Sequence, residues 1–207
     1  MCVIGYYNYT VILTYLSLAS AVSGMLFTVN GHFRIALVCL AFSGLCDMFD
    51  GKVARAKKDR TEEEKRFGIQ IDSLCDVVSF GIFPALWSYC MGMKSALGIG
   101  ILILYTTGGV IRLGYFNVME EKRQQKTKEA RTSYSGLPIT SIAIILPLAA
   151  MAGLLWKRQA CLLLHITMLA VGILFVTRIR VPKPKNVTLA IFIAAVSLAL
   201  LKIFRVF

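Results

Sequence analysis

Long apolar runs separated by short polar connections divide this chain into segments of helical length. Each run is close to the ~20 residues that a helix needs to cross a bilayer. The prolines Pro84 and Pro182 are expected to kink the third run and to end the sixth. We therefore predict an all-α, polytopic membrane bundle built as one domain over residues 1–207. The predicted spans are 11–29, 34–56, 67–89, 96–118, 135–155, 160–177 and 187–204.

The composition supports a membrane protein. Hydrophobic residues make up 57% of the 207 residues, and charged residues only 16%. One soluble core of this size could not bury so much apolar side chain. The first run lacks a basic segment before it and a small-residue cleavage site after it, so we expect a first span rather than a cleaved signal peptide.

The positive charge gives the predicted orientation. The net charge is +12, and the lysines and arginines cluster in three connections, at 52–66, 122–131 and 178–185. This clustering favours an anionic membrane surface over nucleic acid as the partner. The positive-inside rule places these connections in the cytoplasm of a cell-membrane protein. The fifth span contains prolines and the sixth span is short, so either could be a re-entrant segment. A re-entrant segment would move the C-terminus to the other side of the membrane.

Four aspartates form the candidate site. Asp47 and Asp50 are three residues apart, and Asp72 and Asp76 are four apart, so each pair shares one face of a helix. Both pairs lie near the cytoplasmic ends of spans two and three, and a hairpin would bring all four together. Carboxylates in that setting need protons or a multivalent cation. Oxygen donors favour Mg²⁺ or Mn²⁺, and two ions about 3.5–4 Å apart would suit phosphate displacement.

Small residues beside the aspartates indicate room for a ligand. Gly51, Ala54 and Gly68 would let a bulky group approach the helix backbone, and Arg55 could pair with a phosphate. These residues predict a pocket for a metal-bound diphosphate. A solvated helix end remains the alternative for any single aspartate. A cation transporter is the alternative for all four, and it would place carboxylates along the depth of the membrane.

The pattern D-x2-D-G-x2-A-R…G-x3-D-x3-D resembles the signature of the CDP-alcohol phosphotransferases. Twelve residues separate Arg55 from Gly68, a few more than the family usually has, so a longer loop is expected. The resemblance implies metal binding by Asp47, Asp50 and Asp72, with Asp76 contributing and acting as the general base. The residues that it implies in contact with the CDP moiety are Asp47, Gly51, Ala54, Arg55 and Gly68.

Flanking motifs are similar to those of the membrane-integral phosphatidylserine synthases within that family. They are SLCDVVSFGIFPALW (73–87), RLGYFNV (112–118), SGLPIT (135–140) and RIRVPKPK (178–185). The resemblance implies transfer of the phosphatidyl group of CDP-diacylglycerol to L-serine, giving phosphatidylserine and CMP. It also implies six core spans over about 9–178, a polar cavity open to the cytoplasm, a homodimer, and an extra C-terminal span at 187–204.

The acceptor alcohol is predicted from residues outside the aspartate motif. A serine carboxylate needs a cation, and Arg112 is one of the few charges inside the fourth span. It could equally pair with the aspartates. Asn117 and Ser79 could add polar contacts to serine. Glycerol phosphate and inositol phosphate remain alternative acceptors for the same reaction.

Overall fold

The computed structural model describes residues 5–6, 11–56, 61–126, 133–155, 159–182 and 186–205. Within them the chain is a helical bundle, which confirms the predicted helical class. One two-stranded ribbon, β1 (Ser133–Ser135) with β2 (Arg180–Pro182), departs from the all-α prediction. The helices are α1 (Ile12–Val29), α2 (Phe33–Ala56), α3 (Glu62–Asp76), α4 (Phe83–Cys90), α5 (Ala96–Lys126), α6 (Ile142–Leu155), α7 (Ala160–Val176) and α8 (Asn186–Arg205).

Three helical segments of the described chain are long and apolar enough to cross a membrane. They are Ile12–Val29, Glu62–Cys90 and Ala96–Lys122. The other apolar helices are shorter: Ile139–Leu154, Ala160–Val176 and Ile193–Phe204. The chain is thus a helical membrane protein, and the count of six core spans plus a seventh stays a prediction.

Helix α1 packs against α2 through a stripe of small side chains. Its buried residues recur at spacings of three and four, which places them on one face: Thr14, Ser17, Ala21, Gly24 and Thr28. A Cβ atom on Gly24 would lie 2.3 Å from the Phe83 ring and 2.9 Å from Cys39 Cβ. Ser17 Oγ is 2.7 Å from Ser43 Oγ on α2. Small residues therefore let the two helix backbones approach closely, and hydroxyl groups join them.

Helix α3 begins earlier than the sequence predicted. The third span was predicted from residue 67, after the charged connection that ends at residue 66. Instead, Thr61 caps the helix: its Oγ1 accepts from the Glu64 N–H, and Glu64 Oε2 accepts from the Thr61 N–H, both at 3.1 Å. The acidic first turn also suits the positive end of the helix dipole. The part of the charged segment from residue 62 is thus continuous with the span, and 57–60 lie outside the described residues.

The N-terminal segment contacts this first turn of α3. Tyr6 Oη donates a hydrogen bond to Glu63 Oε2 at 2.6 Å, and its ring lies 5.5 Å from that of Phe67. The hydrogen bond raises the pKa of the exposed Tyr6 phenol, because the carboxylate favours the protonated form.

A π-helical turn over Val77–Ile82 joins α3 to α4. Pro84 lies in the first turn of α4 and has no N–H to donate to the Phe80 carbonyl one turn before it. The Tyr105 hydroxyl on α5 donates to that carbonyl instead. Where a kink at Pro84 was expected, the helix changes to the π type before the proline. This π-helical turn lies directly after Asp76.

The ribbon ties two connections together at one end of the bundle. Tyr134 pairs with Val181, so the segment before α6 is fixed to the segment after α7. Gly136 follows with φ +82°, and its N–H donates to the Ile179 carbonyl at 2.7 Å. The fifth span was predicted to start near 135, but α6 begins at Ile142, after a 3₁₀ turn over Ile139–Ser141. The fourth span was predicted to end near 118, whereas α5 continues to Lys126.

The core lies between the central helices. Its largest fully buried side chains include Phe80, Phe83, Trp87, Tyr105 and Met168. A Cβ atom on Gly172 of α7 would lie 3.0 Å from Tyr105 Cα, so α5 and α7 cross closely. Helix α8 packs on α6 and α2.

Candidate active site

The four predicted aspartates come together. Asp47, Asp50 and Asp72 each present a carboxylate oxygen within 4.8 Å of the others. Asp50 and Asp76 are buried, with 8% and 9% of their surface exposed, while Asp47 and Asp72 are half-buried. Two helices that are separate in sequence thus supply one acidic cluster open on one side, as the spacing predicted.

The carboxyl groups pair across the two helices. The carboxyl groups of Asp72 and Asp50 interact directly, and so do those of Asp76 and Asp47. Carboxylates this close repel one another when all are ionised. A divalent cation placed among them would remove that repulsion.

The donor set fits a hard divalent cation. The three clustered donors are all carboxylate oxygens, which Mg²⁺ and Mn²⁺ prefer to the nitrogen and sulfur donors of typical zinc sites. The partial exposure of Asp47 and Asp72 leaves a side from which a phosphate could complete the coordination. The cluster is therefore suited to hold a metal and an anionic substrate together.

Thr14 on α1 is a site residue that the sequence reasoning missed. Its Oγ1 donates a hydrogen bond to Asp50 Oδ2 at 3.3 Å, and only 5% of the residue is exposed. A hydroxyl contact of this kind orients a metal-ligating carboxylate. The sequence carries only a weak signal for this role: Thr14 and Ser17 share one face of an otherwise apolar helix.

Arg112 on α5 lies near the cluster. It is 7% exposed, its charge acts on Asp47, and its guanidinium lies 5.7 Å from the centroid of the Phe116 ring. The structure thus brings Arg112 close to the aspartates. Both predicted roles of this residue, binding the serine carboxylate and pairing with the aspartates, require that position. A buried cation here offsets part of the negative charge of the cluster and offers a donor to a substrate carboxylate or phosphate.

The two other acceptor candidates have different surroundings. Asn117 is held by Ser73, the neighbour of Asp72, because Asn117 Nδ2 donates to Ser73 Oγ at 2.8 Å. Ser79 lies in the π-helical turn, three residues after Asp76, and is fully buried. Its Oγ has no hydrogen-bond partner among the described residues. A buried hydroxyl in that condition is costly unless a ligand or water satisfies it.

The residues predicted to contact the nucleotide are only partly described. Gly51 on α2 and Gly68 on α3 are half-buried, on the two helices that carry the aspartates. Ala54 and Arg55 belong to the last turns of α2, but their side chains lie outside the described part of the structure.

Residues 7–176 match the CDP-alcohol phosphatidyltransferase family. The chain belongs to this family, which confirms the resemblance found in the sequence. Several curated relatives carry the name CDP-diacylglycerol–serine O-phosphatidyltransferase. The one from Methanocaldococcus jannaschii is 30% identical over 186 residues, covering 90% of this chain and 80% of the relative. The one from Saccharomyces cerevisiae is 33% identical over 141 residues, covering 63% of this chain and 48% of the relative.

A third relative differs in the name of its lipid. The archaetidylserine synthase of Methanothermobacter thermautotrophicus is 29% identical over 174 residues, covering 83% of this chain and 68% of the relative. The chain therefore spans about half the length of the yeast relative and most of each archaeal relative.

Proposed function

We propose that this chain transfers the phosphatidyl group of CDP-diacylglycerol to the hydroxyl of L-serine, producing phosphatidylserine and CMP. The observation that carries the proposal is the cluster of Asp47, Asp50 and Asp72, with Asp76 beside it, in a chain of this family. Relatives at about 30% identity bear the names of serine transferases, which supports serine as the acceptor.

The clustered carboxylates would hold the metal. Asp47, Asp50 and Asp72 supply the oxygen donors for Mg²⁺ or Mn²⁺. Asp76, paired with Asp47, supplies a fourth carboxylate, and four are enough for the two ions that we infer. A bound divalent cation would neutralise the negative charge on the diphosphate.

The substrate nucleotide would lie along α2 and the start of α3. Gly51 and Gly68 leave space for the CDP moiety, and Ala54 continues that small surface one turn beyond Gly51. Arg55 would pair with a phosphate oxygen and stabilise the negative charge that builds up during transfer.

Asp76 would act as the general base. It accepts the proton of the serine hydroxyl, whose oxygen then bonds to the phosphorus that carries diacylglycerol. The bond from that phosphorus to the oxygen of CMP breaks, and CMP leaves with the electron pair. The position of Asp76 supports this role, because it is buried beside the clustered carboxylates and precedes the turn that holds Ser79.

The acceptor would bind between α5 and the π-helical turn. Arg112 provides the cation for the serine carboxylate, and its burial would strengthen that pair. Ser79 offers a hydroxyl without a partner in the described chain. Asn117, held against Ser73, would place an amide at the edge of the same space.

We infer the arrangement in the membrane from the helices and the loop charges. Helices α1 to α7, with α3 and α4 as one passage, would be six core spans inside a single domain over about 9–178. Helix α8 would be an additional C-terminal span. The basic connections favour a position of the aspartates at the cytoplasmic side of the cell membrane. We infer a homodimer from the family alone.

An acceptor assay tests the proposal. Purified protein in detergent is given CDP-diacylglycerol, Mg²⁺ or Mn²⁺, and either serine, glycerol phosphate or inositol phosphate, and CMP release is measured. We expect release to depend on serine. Release that depends on one of the phosphorylated alcohols would replace serine with that acceptor. Metal-dependent CMP release with any acceptor would rule out cation transport as the main activity.

A further inference from the structure

A cavity lies at the end of the bundle remote from the aspartates. Its volume is about 710 Å³, within the range of about 300–1,000 Å³ that is typical of ligand pockets. It is lined by the first residues of α2 and α7 and the last residues of α4, α6 and α8. Arg34 and Asp47 are thirteen positions apart along α2, a distance of about 20 Å at 1.5 Å per residue. The cavity is therefore distinct from the candidate active site.

The walls of this distal cavity are mainly apolar. Leu37, Trp87 and Leu164 come from helices of the family region, and Ile203 and Phe204 come from α8. The matched family region ends at residue 176, so α8 adds a wall that lies outside it. An apolar space of this kind at one end of a membrane bundle suits a hydrocarbon chain.

Basic side chains lie at and near the distal cavity in the described part of the chain. The described acidic residues belong to α2, α3 and the end of α5. Arg34 belongs to the lining itself. Among the described residues at that side, Lys94 before α5 and Lys202 near the end of α8 add further positive charge. The entrance is thus complementary to an anion.

We propose that the distal cavity binds an anionic phospholipid taken from the surrounding bilayer. One acyl chain fills the apolar space beside Trp87, and the lipid phosphate lies at Arg34 and His32. The guanidinium of Arg34 donates charge-assisted hydrogen bonds to the phosphate, which gives the site its preference for anionic over zwitterionic lipids. This lipid site is independent of the reaction at the aspartates.

Fluorescence quenching tests the proposal, because Trp87 lines the cavity and the chain has only two tryptophans. The Trp156→Phe variant retains Trp87 as its single tryptophan. The full chain in a neutral detergent is titrated with phosphatidylglycerol carrying brominated acyl chains, and separately with phosphatidylcholine carrying the same chains. We expect saturable quenching with phosphatidylglycerol at concentrations roughly tenfold lower than with phosphatidylcholine.

Two variants and a control locate the lipid. In the Trp156→Phe background, Arg34→Gln should remove the tenfold preference, and Ala150→Phe should abolish saturable quenching by filling the cavity. Lys94→Gln removes a cation at the same end that does not line the cavity, and it should change neither result. Equal quenching by both lipids, or a preference that survives Arg34→Gln, would overturn the proposal. Loss of a dimer on Ala150→Phe with quenching intact would also overturn it, because the cavity would then be a contact between two copies.

Discussion

Thr14 on α1 donates a hydrogen bond to Asp50 on α2, with 3.3 Å between Oγ1 and Oδ2. The contact joins the two most closely packed helices at the point where the aspartate cluster begins. Asp50 is buried and presents an oxygen to Asp47 and Asp72. The first helix therefore takes part in the site although it carries no acidic residue.

We expect Thr14→Val to weaken the site without unfolding the bundle. Valine keeps the shape of threonine and removes the donor to Asp50. Loss of a contact that orients a metal ligand costs about 10–100-fold in metal affinity or activity. Measuring CMP release against Mg²⁺ or Mn²⁺ concentration should show a higher metal requirement.

Thr28→Val is the matched control for this prediction. Thr28 is also a buried threonine of α1, but its Oγ1 donates to the Gly24 carbonyl within the same helix at 2.8 Å. The Thr28→Val variant should lose some stability and keep the metal requirement of the parent protein. An equal metal requirement for both variants would show that Thr14 does not orient Asp50.

Ser79→Ala should raise the KM for serine. The Ser79 hydroxyl is buried without a partner in the described chain and lies one turn after Asp76, so serine is expected to satisfy it. Loss of one hydrogen bond of about 0.5–1.5 kcal/mol corresponds to a roughly 2- to 13-fold increase in KM. The KM for CDP-diacylglycerol should stay unchanged in the same steady-state assay.

The Ser88→Ala variant is the control that distinguishes binding of the acceptor serine from packing of the helix. Its hydroxyl is likewise fully buried and without a partner in the described structure, but it lies near the far end of α4. We expect Ser88→Ala to leave both KM values unchanged. If the two alanine variants behave alike, Ser79 serves the packing of the helix and not the acceptor.

Asp76→Asn should abolish turnover and retain CDP-diacylglycerol binding. The amide cannot take the serine proton, and general base catalysis contributes about 10²–10⁴-fold in rate. Single-turnover CMP release and equilibrium binding of the labelled nucleotide lipid measure the two properties. Asp50→Asn is the comparison, because loss of a clustered carboxylate should impair metal binding and turnover together. An Asp76→Asn rate within a fewfold of the parent would refute the assignment of the base.

Tyr105→Phe should destabilise the helix that carries Asp76 and Ser79. The Phe80 carbonyl would lose the hydrogen bond from the Tyr105 hydroxyl, and loss of one such bond costs about 0.5–1.5 kcal/mol. Thermal unfolding in detergent should show a lower midpoint than the parent. Tyr115→Phe on the same helix is the control, since Tyr115 is 45% exposed and should be neutral. Identical unfolding of the two variants would contradict the role of the Tyr105 hydroxyl.

The parts of the site that the sequence predicted are those with local spacing. Asp47 with Asp50, and Asp72 with Asp76, are three or four residues apart, and helical geometry alone aligns each pair. Thr14 lies 36 residues from Asp50, and its contact depends on how α1 packs on α2. Hydropathy reports that such a helix is apolar and does not report which of its hydroxyls faces a neighbour.

The predicted boundaries failed where another interaction overrides hydropathy. The charged residues from Glu62 onward were separated from the third span, yet the Thr61 cap makes them its first turn. The π-helical turn after Asp76 has the apolar pattern of an ordinary helix, so periodicity could not distinguish it. The ribbon pairs residues 47 apart, between Tyr134 and Val181, and neither short segment has a strand pattern of its own.

Oxygen-18 in the serine hydroxyl gives the most direct test of the central claim, that serine is the nucleophile at the aspartate site. Purified protein is incubated with CDP-diacylglycerol, divalent metal and labelled serine, and the lipid and CMP are analysed by mass spectrometry. The label should appear in phosphatidylserine and not in CMP, and Asp76→Asn should form neither product at an appreciable rate. CMP formation without serine, with phosphatidic acid as the lipid product, would instead identify water as the acceptor and contradict the proposed function.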